Sequence, residues 1–208
     1  MQNLLLEMNG IDKRFHGVHA LKGVHFDLKY GEIHALVGEN GAGKSTLMKV
    51  LTGIHQADGG SITYLGSPYS VKNIGESQHL GISMIHQELN MMNHLTVAQN
   101  IFIGRETMAG KMFIKDGDMI KEAERLFERI GIKIDPTTAL GNLTVGKQQM
   151  VEIAKAISRD CKLLILDEPT AALTQSEIDE LFSIMSDLKS KGIGMIYISH
   201  RMDEIKLI

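Results

Sequence analysis

A glycine-rich loop that ends in a lysine and a serine contains the residue types in this sequence that are best suited to binding an anionic ligand and a metal ion. The segment reads GENGAGKST and contains the spacing G-x-x-x-x-G-K-[ST]. Glycines reach positive φ and present no Cβ, so successive backbone N–H groups can surround a phosphate. The lysine offers charge to the outer phosphates, and the serine hydroxyl can ligate Mg²⁺. The loop predicts nucleoside triphosphate binding by Gly38, Glu39, Asn40, Gly41, Ala42, Gly43, Lys44, Ser45 and Thr46.

The segments on either side of the loop support this interpretation. Residues 33–37 form a short apolar run that predicts a strand. Residues 44–51 predict a helix with Leu47, Met48 and Leu51 on one face. A phosphate loop needs this order because the helix N-terminus adds its positive end to the site. A plain glycine-rich turn is the alternative, and the strand–loop–helix order disfavours it.

Two carboxylates follow a second apolar run. Asp167 and Glu168 come directly after residues 163–166, which predict a buried parallel strand. At the C-terminal end of such a strand, Asp167 can hold Mg²⁺ beside the phosphate loop, and Glu168 can orient or deprotonate an attacking water. A solvated acidic turn is the alternative, and the phosphate loop upstream makes it the weaker one.

Three further polar features lie at predicted strand or helix ends. His200 follows the strand predicted at 195–198, where an imidazole can reach a γ-phosphate or the attacking water. Gln87 follows the strand predicted at 82–85 and can reach Mg²⁺ or that water. Residues 143–149 form a polar, glycine-containing turn before a helix predicted at 148–158, which makes them a second candidate anion site.

The order of elements predicts an α/β fold with a parallel core sheet. Runs at 4–8, 24–28, 61–65 and 82–85 predict a mostly antiparallel layer around the strand that precedes the phosphate loop. A helical insertion is expected at about 90–158, which leaves about 1–89 and 159–208 for the sheet core and its antiparallel layer. All of this is expected to form a single domain.

Composition narrows the class of protein. The 208 residues carry a net charge of −3 without a basic tract, which argues against nucleic acid as the main partner. A single cysteine, Cys161, excludes an intrachain disulfide and fits a reducing compartment. No signal peptide or apolar run of about 20 residues is present, so we expect a cytoplasmic protein that reaches a membrane through a partner.

In order and approximate spacing, these motifs resemble the ATPase domain of ABC transporters. The resemblance covers Walker A (38–45), the Gln87 loop, a signature-like segment (143–149), Walker B (163–168) and the His200 switch. It implies a P-loop NTPase that binds ATP and Mg²⁺, with Ser45, Gln87 and Asp167 at the metal. Glu168, His200 and Gln87 would serve catalysis. The signature residues Thr144, Val145, Gly146, Lys147 and Gln148 would contact ATP bound to an opposing ATPase domain.

The residue sequence within these motifs is similar to that of the N-terminal ATPase half of bacterial monosaccharide importers of the ribose, galactose and allose type. The resemblance implies membrane permease subunits, a second ATPase domain and, indirectly, a sugar-binding protein as partners, at the inner face of the membrane. Phe15 would stack on adenine, with an ordinary core aromatic as the alternative. Family members continue beyond His200, so we expect the chain to be C-terminally truncated.

Two departures from the family pattern stand out. The usual Leu-Ser-Gly-Gly-Gln signature is here Leu-Thr-Val-Gly-Lys, and Thr174 replaces a common aspartate after Walker B. They put equal activity of the two ATP sites in doubt. The alternatives to a sugar-importer ATPase are a non-transport ABC ATPase acting on DNA or the ribosome, which predicts basic arms or coiled coils, and an ATP-binding fragment without turnover on its own.

Overall fold

The structure is a computed structural model that describes residues 4–39, 41–87, 91–105, 108–109, 113–114 and 116–208. Strands and helices alternate along most of the chain. The strands are β1 Leu4–Phe15, β2 Val18–Lys29, β3 Ile33–Leu36, β4 Gly59–Tyr64, β5 Ser67–Pro68, β6 Ile82–Ile85, β7 Met108–Ala109, β8 Phe113–Ile114, β9 Leu163–Asp167 and β10 Gly194–Ile198. The helices are α1 Lys44–Leu51, α2 Ile74–His79, α3 Val97–Phe102, α4 Asp116–Ile130, α5 Val145–Ile157, α6 Gln175–Ser190 and α7 Met202–Ile205.

An antiparallel sheet contains the first strands, in the order β2-β1-β4-β5. Strands β1 and β2 form a long hairpin that pairs from Leu4 opposite Lys29 to Phe15 opposite Val18. Gly17 lies in its turn with φ of 78°, a conformation that favours glycine. The antiparallel layer predicted from the sequence is confirmed for β1, β2 and β4.

A second sheet has the order β3-β10-β9-β6, and β10 pairs in parallel with both β3 and β9. The expectation that 82–85 belongs to the antiparallel layer is wrong, because β6 takes the edge of this second sheet beside β9. Three of its four residues are buried, which suits a strand covered on both faces. The Gly81 carbonyl just before β6 accepts the N–H groups of Lys162 and Leu163, which fixes the start of β9.

The described chain divides into two compact units. One holds Met1–Met84, Cys161–Glu168 and Leu188–Ile208, and the other holds Ile85–Asp160 and Pro169–Asp187. In the first, residues from both sheets and α1 share one apolar core that includes Leu6, Met48 and Ile165. The second contains most of α6 in addition to the stretch 90–158 that the sequence predicts as the helical subdomain.

Helix α3 packs on α4 and α5 in the second unit. Helix α4 ends at Ile130, and Gly131 follows it with φ of 74°, a conformation that favours glycine at a helix end. Helix α5 begins at Val145, three residues before the predicted start, because the Thr144 side chain accepts a hydrogen bond from the Lys147 N–H and caps the helix. Among the described residues, no helix combines the length and hydropathy needed to cross a bilayer.

Candidate functional site

The glycine-rich loop connects β3 to α1. Gly41 and Gly43 have φ of 85° and 90°, so both use the conformation that glycine permits. A Cβ on Gly43 would lie 2.9 Å from the Ala20 carbonyl oxygen, so only glycine fits against β2 there. The Ala42 N–H donates to the Glu39 carbonyl within the loop. Asn40 lies outside the described residues.

Positive charge and hydrogen-bond donors converge at the start of α1. The Lys44 ammonium donates to the Gly38 and Glu39 carbonyls at 2.6 and 2.9 Å, which places it against the loop backbone. Lys44, Ser45 and Thr46 form the first turn, whose N–H groups have no partner within the helix. No acidic residue occupies that turn, and Ser45 is exposed. This geometry suits an anionic ligand.

The parallel sheet brings three candidate features to one edge. Strands β3, β10 and β9 run in parallel as neighbours, with Leu36 opposite Ile198 and Ile198 opposite Asp167. The carboxyl ends of these strands therefore meet, and the phosphate loop follows one of them. Asp167 ends β9 and His200 follows β10, so the structure brings the loop, the Walker B carboxylates and the histidine together.

Glu168 and His200 contact each other at this edge. The Glu168 carboxylate lies 2.9 Å from His200 Nδ1, and their side chains are 23% and 64% exposed. Glu168 has φ of 48°, unusual for a residue with a Cβ, and its N–H donates to the Ile198 carbonyl. The backbone thus turns sharply after β9 and directs the Glu168 side chain toward His200.

A buried carboxylate behind His200, which the sequence pattern did not reveal, fixes the turn after β10. Glu204 is 5% exposed, accepts hydrogen bonds from Tyr197 and Ser199 at 2.8 and 3.2 Å, and pairs with Arg201 at 2.5 Å. The Ser199 hydroxyl in turn accepts the Arg201 N–H at 3.0 Å. Both residues beside His200 are therefore held by one carboxylate. An acidic residue four positions after the histidine is too common to signal this role.

Phe15 ends the first strand of the hairpin and is 42% exposed. Its ring meets His55 edge-on with centroids 5.1 Å apart, and the Lys13 ammonium lies 5.6 Å from the ring centre. The alternative of an ordinary core aromatic is wrong at this exposure. An accessible ring with positive charge beside it can stack on a base. Adenine stacking stays a prediction.

Gln87 is exposed in the loop after β6, within the second compact unit. Residues 88–90 of the same loop lie outside the described residues. Further along, Met91 is half-buried and Met92 is 47% exposed. Buried Asn100 holds this stretch, since its amide donates to the Met92 carbonyl at 3.0 Å and its carbonyl accepts the Met92 N–H at 2.8 Å.

The signature-like segment forms the first turns of α5. Val145 is 46% exposed, Lys147 is exposed and Gly146 is buried. The Gln148 amide donates to the Leu140 and Leu143 carbonyls, so it supports the preceding turn. The Thr144 hydroxyl donates to the carboxylate of Glu177 at 2.8 Å. The sequence marks Glu177 as part of a helix-capping box, and its contact with Thr144 is not visible in that pattern.

The donor set fits Mg²⁺ bound together with phosphates. This ion prefers oxygen ligands and is usually held by one or two carboxylates, substrate phosphates and waters. Ser45 and Asp167 offer a hydroxyl and a carboxylate within the same compact unit. Among the described residues, no group of three or more His, Cys, Asp or Glu side chains forms an independent metal cluster.

Strand, phosphate loop and helix, with carboxylates and a histidine at the same sheet edge, define a P-loop nucleotide-binding domain. The family model described as ABC transporter matches residues 21–171. The chain therefore belongs to the ABC transporter family. A crystal structure of the ADP conformation of an ATP-binding cassette of an ABC transporter superposes with a TM-score of 0.85 at 29% identity, covering 97% of this chain and 83% of that one.

Proteins named as ribose/galactose/methyl galactoside import ATP-binding proteins are similar over nearly the whole chain. One from Burkholderia cenocepacia is 55% identical over 205 residues, which cover 98% of this chain and 40% of the relative. Another from Agrobacterium fabrum is 52% identical over 201 residues, covering 97% of this chain and 39% of the relative. The chain thus spans about 40% of the length of these relatives.

Proposed function

We propose that this chain is the ATP-binding and ATP-hydrolysing part of an importer that moves a ribose-like monosaccharide through a membrane permease. The observation that carries the ATPase proposal is the alignment of β3, β10 and β9, whose ends supply the phosphate loop, His200 and the Walker B carboxylates. The names of the relatives support the sugar and the direction of transport.

The loop and the start of α1 bind the phosphates of ATP. The N–H groups of the first turn and the Lys44 ammonium hold the β- and γ-phosphates, and the Phe15 ring stacks on adenine. Ser45 and Asp167 would hold Mg²⁺, and the ion would supply charge that neutralises the phosphates. Lys44 leaves the Gly38 and Glu39 carbonyls when the phosphates replace them as partners.

Glu168 and His200 activate the water that attacks the γ-phosphate. Glu168 accepts a proton from the attacking water as the water oxygen bonds to the γ-phosphorus and the bond from that phosphorus to the bridging oxygen breaks, which releases ADP and phosphate. His200 holds the Glu168 carboxylate through Nδ1, which limits its rotation, and its exposed ring contacts the γ-phosphate. Because the reaction is mostly a matter of positioning and charge stabilisation, this held geometry contributes directly to the rate.

Two kinds of protein partner complete the proposed importer. A second ATPase domain supplies the opposing signature segment, and the chain's own residues 144–148 serve the ATP of that domain. A permease docks on the loop after Gln87, where Met92 offers exposed, adaptable apolar surface held in place by Asn100. The chain then works at the inner face of the membrane, with a sugar-binding protein acting on the other side of the permease.

Substitution of Lys44 tests the proposal. Lys44→Ala removes the ammonium from the phosphate site, and we expect ATP hydrolysis by the assembled protein and uptake of ribose-type sugars to fall by about 10²-fold or more. Lys49→Ala, in the last turn of the same helix, is the matched control and should retain both activities. Equal hydrolysis by the Lys44→Ala and Lys49→Ala proteins would contradict the ATPase assignment, whereas hydrolysis without sugar uptake would contradict only the transport assignment.

A further inference from the structure

The signature-like segment and Thr174 meet at one carboxylate. Glu177 Oε1 accepts the Thr144 hydroxyl at 2.8 Å, and the carboxylate lies directly against Gly146. The other oxygen, Oε2, accepts the Thr174 N–H and the Thr174 hydroxyl, both at 2.9 Å. Glu177 therefore binds the start of α5 with one oxygen and the start of its own helix with the other.

The Glu177 carboxylate fills the space beside Gly146. Gly146 is not among the described glycines with positive φ, so its backbone conformation does not require glycine. A Cβ at this position would collide with Cγ, Cδ and Oε1 of Glu177. The absent side chain makes room for a carboxylate directly over the first turn of α5.

The bound carboxylate occupies donors that an incoming phosphate would need. The Thr144 hydroxyl has one hydrogen and donates it to Glu177, whose carboxylate also covers Gly146. The positive end of a helix favours any anion placed there, whether carboxylate or phosphate. Hydrogen bonds from the Thr174 backbone and the Thr144 hydroxyl lower the pKa of Glu177, so it stays ionised at neutral pH.

We propose that Glu177 is an internal anion that closes the signature segment until ATP on an opposing domain displaces it. This inference rests on the proposed function, in which residues 144–148 contact that ATP. Exchange of the Glu177 carboxylate for a γ-phosphate leaves the Thr144 hydroxyl bonded to an anion throughout. The contact thus raises the ATP concentration at which two domains close on each other.

Glu177→Gln separates this role from helix capping. Glutamine at the third position of a capping box still serves the helix start with its one amide oxygen. Its NH₂ group is a donor, so it cannot replace the second carboxylate oxygen as an acceptor for the Thr144 hydroxyl. Glu180→Gln, on an exposed position of the same helix, is the matched control.

Dimerisation with Mg-ATP gives the functional measurement. In a Glu168→Gln background that binds ATP without turning it over, we expect Glu177→Gln to lower the half-maximal Mg-ATP concentration for dimer formation by about tenfold, the scale of losing a charge-assisted hydrogen bond. Glu180→Gln should leave it unchanged. An unchanged or raised value for Glu177→Gln would overturn the proposal.

Amide hydrogen exchange on the chain alone gives a second measurement. We expect the Gly146 amide to exchange faster in Glu177→Gln than in Glu180→Gln, with the free energy of unfolding little changed in either. Equal exchange rates at Gly146 would overturn the proposal even where dimerisation changes. If the Glu168→Gln chain forms no dimer with Mg-ATP, the titration is repeated with a companion ATPase domain that carries an unaltered signature. Absence of pairing there as well would contradict the composite site of the proposed function, whereas exchange at Gly146 still decides whether Glu177 holds the segment.

Discussion

His200 Nδ1 lies 2.9 Å from Glu168 Oε1, so the residues that follow two neighbouring parallel strands contact each other directly. Both were predicted to act on the attacking water or the γ-phosphate, and neither was predicted to hold the other. The contact makes the histidine an orienting partner of the proposed base. Removing either side chain therefore changes the geometry as well as the chemistry of the pair.

Glu168→Gln tests the proposed base. The amide keeps the size of the side chain and can still meet His200, but it cannot accept a proton from water. We expect ATP binding to persist and turnover to fall by about 10²-fold or more. Single-turnover hydrolysis and nucleotide affinity should be measured in an assembly whose other ATP site is disabled. Near-normal turnover in that assembly would remove Glu168 from the mechanism.

A double substitution tests whether Glu168 and His200 act as a unit. If His200 works mainly by holding Glu168, adding His200→Ala to Glu168→Gln should reduce turnover little further, although His200→Ala alone reduces it by about tenfold or more. The four proteins of this cycle are compared by turnover at saturating Mg-ATP. Strictly multiplicative losses would mean that His200 acts independently of Glu168.

Glu204 is predicted to be important for stability and for the position of His200. Glu204→Ala takes a buried acceptor from the Tyr197 and Ser199 hydroxyls, and we expect it to lower the free energy of unfolding by about 1–3 kcal/mol. Turnover should fall as well, because the turn that carries His200 loses its support. Asp203→Ala, at the exposed neighbouring position, is the control for urea unfolding. Equal unfolding midpoints for the two variants would contradict this prediction.

The elements of this fold were predictable where the pattern was local and strong. The bounds of α4 follow from apolar residues at helical spacing and a terminal glycine, and the buried runs of β9 and β10 from their continuous hydrophobicity. The assignment of Ile82–Ile85 failed because a short apolar run does not say which sheet it joins. Its partner, β9, is distant in sequence, and only tertiary packing selects it.

The residues of the candidate site could be predicted where they belong to a recognisable sequence motif. Lys44, Asp167 and His200 have recognisable neighbours in sequence, so their common sheet edge could be anticipated. The contacts of Glu177 and Glu204 could not, since each depends on where a flexible side chain goes after folding. Glu177 meets Thr144 across 33 positions of sequence, and a capping box predicts only its contact with Thr174.

Phe15→Ala tests adenine stacking. Loss of the exposed ring should weaken ATP binding by about tenfold, the scale of one stacked base, while Phe15→Tyr should bind nearly normally because it keeps the aromatic face. Val18→Ala removes an exposed apolar side chain paired with Phe15 in the same hairpin and serves as the control. If GTP and ATP affinities in the Ala variant both match those of the unmutated chain, the ring does not contact the base.

The chain on its own is predicted to be a weak ATPase. Each composite site needs a signature segment from an opposing domain, and a pair of identical chains would use two segments with Val145 and Lys147 at altered positions. In both segments, Glu177 also binds the Thr144 hydroxyl and covers Gly146. These features reduce closure of the pair while leaving Gly38 to Thr46 able to bind nucleotide.

Titration of hydrolysis against protein concentration tests this last prediction. Mg-ATP turnover per chain should be low in dilute solution, rise with concentration as pairs form, and rise further when a companion ATPase domain with an unaltered signature is added. Gly146→Asp, which blocks the segment, should abolish the concentration dependence, whereas nucleotide binding by the same chain should persist. Robust turnover by dilute, monomeric chain would show that catalysis requires no opposing domain.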